Sequence, residues 1–307
     1  MPSKYIISEP PRNSPAEKGV PEERQTPPRR RFVRERIRSP VASGFFYPDE
    51  PEEIKAFFAS CGLDGPPRRG EKAENALGII VPHSAWNRSG KAAADAFALC
   101  RERRDSISRV VLLGAIHDPL RTGLFLSNSD FFETPLGELP VDGKSCEELA
   151  SCSTVFEIND IPHLREFSIE VLLPFVKYCF PGVSIVPVLM GVYSPRLIKG
   201  LAGALNVVFG ENRGETLFVI SSCLSKNKNS ETAFAQADRF VTLINEGNGG
   251  AIGNEFPGGA LSACGAPLAA ACLECGLLVK KQNTLLSDIR QIPGEDGYVC
   301  YGSMVLE

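Results

Sequence analysis

Ala76-Leu-Gly-Ile-Ile-Val81 runs through Pro82 into His83, and Val110-Val-Leu-Leu-Gly-Ala-Ile116 runs directly into His117. Both are continuous apolar runs of strand length, as expected for strands buried inside a mainly parallel sheet. In an open α/β sheet the loops leaving the carboxyl ends of parallel strands form the crevice where ligands bind. Two of the chain's three histidines therefore leave different strands at the end where a site would lie. A lone histidine at a strand end more often caps a backbone group or packs at the core's edge. The paired placement favours a metal or catalytic site.

A third candidate lies near the C-terminus. Gly258-Gly-Ala-Leu-Ser-Ala-Cys264-Gly265 precedes Ala266-Pro-Leu-Ala-Ala-Ala-Cys-Leu-Glu-Cys275, a helix-forming stretch with Pro267 suited to its first turn. Cys264 would then sit at a helix N-terminus, where the macrodipole favours the thiolate. Any one cysteine among ten is most often a small buried apolar residue. Together with two imidazoles, however, a thiolate makes a reasonable ligand set for a borderline or soft transition metal.

Around these runs the chain alternates strand-like and helix-like segments, the pattern of a parallel sheet covered by helices. A helix is predicted over about 89–103, a hairpin over 124–132 and a helix over 166–180. A core strand over 183–189, a helix over 195–209 and a buried strand over 216–220 follow, the last leaving through Ser221-Ser-Cys-Leu-Ser-Lys226. A helix over 230–245, a Gly-rich loop over 247–259, the Cys264 helix and a final strand over 298–306 complete the pattern. No repeat or composition shift after Pro40 calls for a second domain. The expectation is a single α/β domain over 39–307.

The segment 1–38 is unlike the rest, with seven prolines among charges and the run Arg29-Arg-Arg-Phe-Val-Arg-Glu-Arg-Ile-Arg38 at its end. It cannot bury enough apolar surface to offset its ordering entropy and is expected to be a disordered tail. The arginines could meet an acidic partner or nucleic acid, but Phe32 alone among them is a poor stacking platform for nucleic acid. The 307 residues are 43% hydrophobic and 23% charged, with a net charge of −4, which gives no nucleic-acid or membrane bias. No run approaches the roughly 18 apolar residues of a membrane span. Ten cysteines in a long chain without an apolar leader suggest a reducing cytoplasm.

Five blocks in order resemble the Memo family, which includes the AmmeMemoRadiSam system protein B. They are Ser39-Pro-Val-Ala-Ser-Gly-Phe-Phe-Tyr-Pro48, Val81-Pro-His-Ser-Ala-Trp86, Leu113-Gly-Ala-Ile-His117, Glu166-Phe-Ser-Ile-Glu-Val-Leu-Leu-Pro-Phe175 and Ala263-Cys-Gly-Ala-Pro-Leu268. The resemblance implies a LigB-like fold similar to the extradiol ring-cleaving dioxygenases, with a mainly parallel central sheet flanked by helices. It also implies an iron or copper ion held by His83, His117 and Cys264. By family association, AMMECR-type and radical SAM proteins are expected partners, beside an unidentified small molecule or protein.

The chain departs from the family around that site. The family's Ser-Ser-Asp-Phe-Ser-His block stands here as Ser221-Ser-Cys-Leu-Ser-Lys226, so Cys223 replaces an Asp and Lys226 a His. Phe167 replaces the His of Glu-His-Ser. Lost acid and base groups imply altered or lost proton transfer. Cys223, Lys226 and His163 are therefore the remaining candidates for chemistry: Lys226 as anion anchor or base, and His163 as a histidine ahead of the 166–180 helix within reach of the cleft. Two readings stay open. One is a mononuclear metal centre with redox or oxygen-dependent chemistry; the other is a pseudoenzyme that binds a peptide or protein in the cleft.

Overall fold

The computed structural model describes residues 35–65, 76–278, 284–285, 289–294 and 297–306. The strands are β1 (Ile37–Arg38), β2 (Gly78–Val81), β3 (Arg109–Ala115), β4 (Leu124–Leu126), β5 (Phe131–Phe132), β6 (Leu139–Pro140) and β7 (Phe156–Ile158). They continue with β8 (Ser184–Met190), β9 (Thr216–Ser221), β10 (Ser225–Asn227), β11 (Thr284–Leu285), β12 (Arg290–Gly294), β13 (Gly297–Tyr301) and β14 (Met304–Leu306). The helices are α1 (Pro51–Ser60), α2 (Trp86–Cys100), α3 (Gly143–Cys152), α4 (Leu173–Cys179), α5 (Pro195–Phe209), α6 (Ser230–Asn245), α7 (Gly249–Glu255) and α8 (Ala266–Glu274).

The main sheet has the order β11-β14-β2-β9-β3-β8-β4-β7. Its centre, β2-β9-β3-β8, is parallel throughout, while β14 and β4 join antiparallel on either side. Between their end residues the central strands are apolar because helices cover both faces. Side chains alternate across a strand, so Ile80, Val111, Leu113 and Phe218 join α3, α5, α6 and α8 in one core. Ile79, Val81, Val110, Leu112 and Val219 join α1, α2 and α4 in the other. Each fully buried side chain of this kind contributes about 1.5–3 kcal/mol over leaving it in water.

The helix boundaries follow from capping. Ser194 accepts from the Leu197 N–H ahead of Pro195, and Asn229 accepts from the Thr232 N–H, so α5 and α6 start where the sequence places them. Other expectations change. The predicted 124–132 hairpin does not form: β4 joins the main sheet, while β5 joins β1 and β6 in a separate three-stranded sheet. The Gly-rich loop contains α7, whose N-cap is Asn248. The helix expected from Glu166 begins as a 3-10 turn at Glu170. The final strand is two strands in two sheets, β13 with β10 and β12, and β14 with β2 and β11.

Residues 1–34 of the expected tail lie outside the described residues, but its last residues do not. Ile37–Arg38 pairs with β5, and Arg38, 1% exposed, forms an ion pair with Glu170 at 2.6 Å. The domain therefore starts ahead of Ser39, because Arg38 finds a buried carboxylate. No helix among the described residues is long and apolar enough to cross a membrane.

Candidate metal centre

β9 lies between β2 and β3, so the exits of all three strands adjoin at one sheet edge. The Ser222 N–H donates to the Val81 carbonyl at 2.8 Å and ties the β9 exit to that of β2. His83 follows β2 and His117 follows β3. Cys264 arrives from across the molecule, in the loop ahead of α8. Gly265 makes this approach possible: a Cβ there would lie 2.6 Å from Ser222 Cβ and 2.7 Å from the Ser221 carbonyl oxygen. Its N–H donates to Ser222 Oγ at 2.9 Å, fastening the Cys264 loop to the end of β9.

The structure brings His83, His117 and Cys264 together, with one nitrogen or sulfur of each lying within 4.8 Å of the others. Cys264 Sγ is 3.6 Å from His83 Nε2, and the imidazole centroids are 5.2 Å apart with planes at 72°. A tetrahedral ion with bonds of about 2.0–2.1 Å to nitrogen and about 2.3 Å to sulfur would separate such a pair by roughly 3.5 Å. The donor set fits a metal.

Hydrogen bonds set the ring orientations. Ser221 donates its hydroxyl to the Ser168 carbonyl, so towards His83 Nδ1, at 2.7 Å, it acts as acceptor. Nδ1 therefore carries the hydrogen and Nε2 faces Cys264. Glu166 does the same for His117: its carboxylate accepts from His117 Nδ1 at 3.0 Å and from the His117 N–H at 2.8 Å. It also accepts from the Phe167 and Ser168 N–H groups at 3.0 and 2.8 Å. Burial opposes ionisation of Glu166, but these bonds hold its carboxyl below the usual range. Burial likewise opposes charge on His117, yet Cys264 and Glu166 push its pKa up to about 10. A metal would replace the proton that His117 otherwise holds.

Cys264 accepts from the Cys223 N–H at 3.3 Å, and the two sulfurs are 3.3 Å apart. The neighbouring Cys223 thiol, and behind it the two histidines, hold Cys264 well below the usual thiol range despite burial. Cys223 is pushed the opposite way, chiefly by its bond to Cys264 and by burial. The pair thus shares one proton, held on Cys223. Phe167 lies parallel to His117, with planes 3° apart and centroids 5.3 Å apart, and meets Phe46 at 4.4 Å. It forms an apolar wall that takes no part in proton transfer.

His163 does not face the cleft: it is 1% exposed, its Nε2 bonds the Phe125 carbonyl at 3.1 Å, and its ring meets Phe132 edge-on. Its neutral ring suits this apolar site. Lys226 is exposed on β10, and its N–H donates to Ser262 Oγ at 3.0 Å.

The Memo-like protein family model matches residues 38–304. The chain belongs to the Memo-like family. A MEMO1 family protein of Thermotoga neapolitana is 34% identical over 215 residues, 68% of this chain and 77% of that protein. One from Aeropyrum pernix is 30% identical over 274 residues, covering 86% and 97%. A solved structure of an uncharacterized Escherichia coli K12 protein is 12% identical, with a TM-score of 0.49, covering 75% of this chain and 99% of that one. The assignment rests on the family model and the two relatives.

Sequence reasoning named the three donors but missed Ser221 and Glu166, which orient the two rings. The signal was present: Glu166 opens one of the five family blocks, and Ser221 ends an apolar strand at the same sheet edge. Beside the replacements expected at Cys223, Lys226 and Phe167, each histidine has an orienting partner in Ser221 or Glu166.

Proposed function

We propose that this Memo-like chain is a mononuclear metal protein in which His83, His117 and Cys264 hold an iron or copper ion, leaving room for a small exogenous ligand. The observation that carries this reading is the convergence of three donors whose tautomers and thiolate character are already set by Ser221, Glu166 and Cys223. Three protein donors leave a position open, as in catalytic rather than closed structural sites. When bound, the ion would supply redox chemistry.

The chain's own residues do the rest. Ser221 and Glu166 fix the imidazoles, and Glu166 favours the electron-rich form of His117 as a donor. Cys223 donates N–H and S–H to the thiolate, which tempers its donation to a metal. Phe167 and Phe46 keep water off one side of the His117 ring. With Phe167 apolar and Cys223 holding its proton tightly, this wall offers no strong general base. Reactions that need fast proton removal from a substrate, ring cleavage of simple catechols among them, are expected to be slow.

The test is elemental analysis after anaerobic purification of the wild type, His117→Ala and Cys264→Ser. Replacing an orienting partner of a ligand typically lowers metal affinity 10–100-fold, so losing a ligand should cost at least about that much. Equal iron or copper content in all three proteins would sink the proposal.

A further inference from the structure

We infer that Cys223 and Cys264 form a dithiol that hydrogen peroxide closes to a disulfide, withdrawing Cys264 from the metal centre. The cross-link stands on geometry alone; only its consequence for metal rests on the reading above. The two sulfurs are 3.3 Å apart, and a disulfide needs about 2.05 Å, so closure asks for a sulfur shift of little more than about 1 Å. The two backbones are already fastened, through Cys223 N–H to Cys264 Sγ at 3.3 Å and Gly265 N–H to Ser222 Oγ at 2.9 Å.

Accessibility sets the order of events. Cys264 is partly exposed and Cys223 is buried, so the oxidant meets Cys264 first. Cys264 Sγ attacks one peroxide oxygen, the O–O bond breaks, and Cys264 becomes a sulfenic acid as the leaving oxygen takes a proton and departs as water. Cys223 Sγ then attacks the Cys264 sulfur, the S–O bond breaks, and a second water leaves with the Cys223 proton. Two thiols and one peroxide give one disulfide and two waters. A reactive thiol beside a resolving thiol is the arrangement that diverts oxidation from irreversible sulfinic acid. Thiol exchange with a dithiol reductant reverses it. The sulfur that would bind metal is then tied up in the S–S bond.

The experiment exposes reduced, metal-free protein to hydrogen peroxide and maps disulfides by peptide mass spectrometry, because all ten cysteines are free. Iron or copper uptake is measured before oxidation, after it, and after dithiothreitol. The expected result is a Cys223–Cys264 cross-linked peptide, metal uptake at least about tenfold lower, and recovery on reduction. In Cys223→Ser, which keeps a hydrogen-bonding side chain, Cys264 should instead be trapped as a dimedone adduct. Sulfinic acid on wild-type Cys264 without a cross-link would overturn the inference, as would undiminished metal uptake by the oxidised protein. If the cross-link forms but neither state takes up metal, the metal-centre proposal falls and the dithiol stands. If reduced protein binds metal and no cross-link forms, the reverse holds.

Discussion

Glu166 and Glu170 stand four residues apart in one stretch, and both are buried, yet they serve different ends. Glu170 accepts from the Val41 and Ala42 N–H groups at 2.9 and 2.7 Å and from the Tyr47 hydroxyl at 3.0 Å, and it pairs with Arg38. All of its partners come from the N-terminal segment, which it holds against the core. Glu166 spends its oxygens on His117 and on local amides. The difference lies in the partner. Arg38 is permanently charged, has no lone pair to offer, and turns its other donors to the His163 and Glu166 carbonyls. His117, once oriented, still has a second nitrogen to offer beside the sulfur of Cys264. A buried carboxylate becomes functional when the group it orients has a donor left to use.

The largest effect should come from breaking the structural member. Glu170→Gln leaves the Arg38 guanidinium buried without its counter-charge, and breaking such a pair costs about 3–5 kcal/mol. Denaturant melts should show that loss, while the fraction that remains folded binds metal as the wild type does. A chain starting at residue 39 should lose comparable stability against one starting at residue 35, because only the longer chain keeps Arg38.

His163 belongs to the same structural side, and its effect depends on pH. Burial first, and Arg38 to a lesser degree, pull its pKa down to about 4 from the usual 6.5. Its folded value lies below its unfolded one, so the neutral ring contributes full stability above about pH 6.5. That contribution is lost as pH falls towards 4, at most about 3 kcal/mol by linkage. His163→Gln should flatten the dependence of unfolding free energy on pH across that window. An unchanged slope would place the acid sensitivity elsewhere.

The functional member should give a smaller energy and a different readout. Glu166→Gln keeps an acceptor for part of the amide set but removes the charge that orients His117, so metal affinity should fall about 10–100-fold. Its melting curve should move less than that of Glu170→Gln. If both variants lose stability equally and neither changes metal affinity, the division between the two carboxylates is wrong. Ser221→Ala should act on His83 in the same way but more weakly, since a neutral acceptor is lost there.

The sequence made the centre of the fold legible, for a local reason. β2, β3, β8 and β9 are apolar between their ends because both faces are covered, and α5 and α6 carry their own caps in Ser194 and Asn229. Partner choice was not legible. The residues of β4 and β5 are strand-like and close in sequence, yet each finds its neighbours elsewhere, since pairing is decided by the edges that distant strands leave open. Arg38 was hidden for a related reason: it ends a run of charges, and only Glu170, far along the chain, makes it a core residue. At the site, the donors stood out because histidine is rare here and follows apolar runs. Ser221 and Glu166 matter only through which atom they meet, and a linear reading does not give that.

X-ray absorption at the metal edge of anaerobically loaded protein measures the ligand set directly. The expected spectrum has one sulfur at about 2.3 Å and two imidazole nitrogens at about 2.0–2.1 Å, with the sulfur shell missing in Cys264→Ser. A wild-type spectrum without sulfur, or one unaltered by Cys264→Ser, would contradict a centre built from His83, His117 and Cys264.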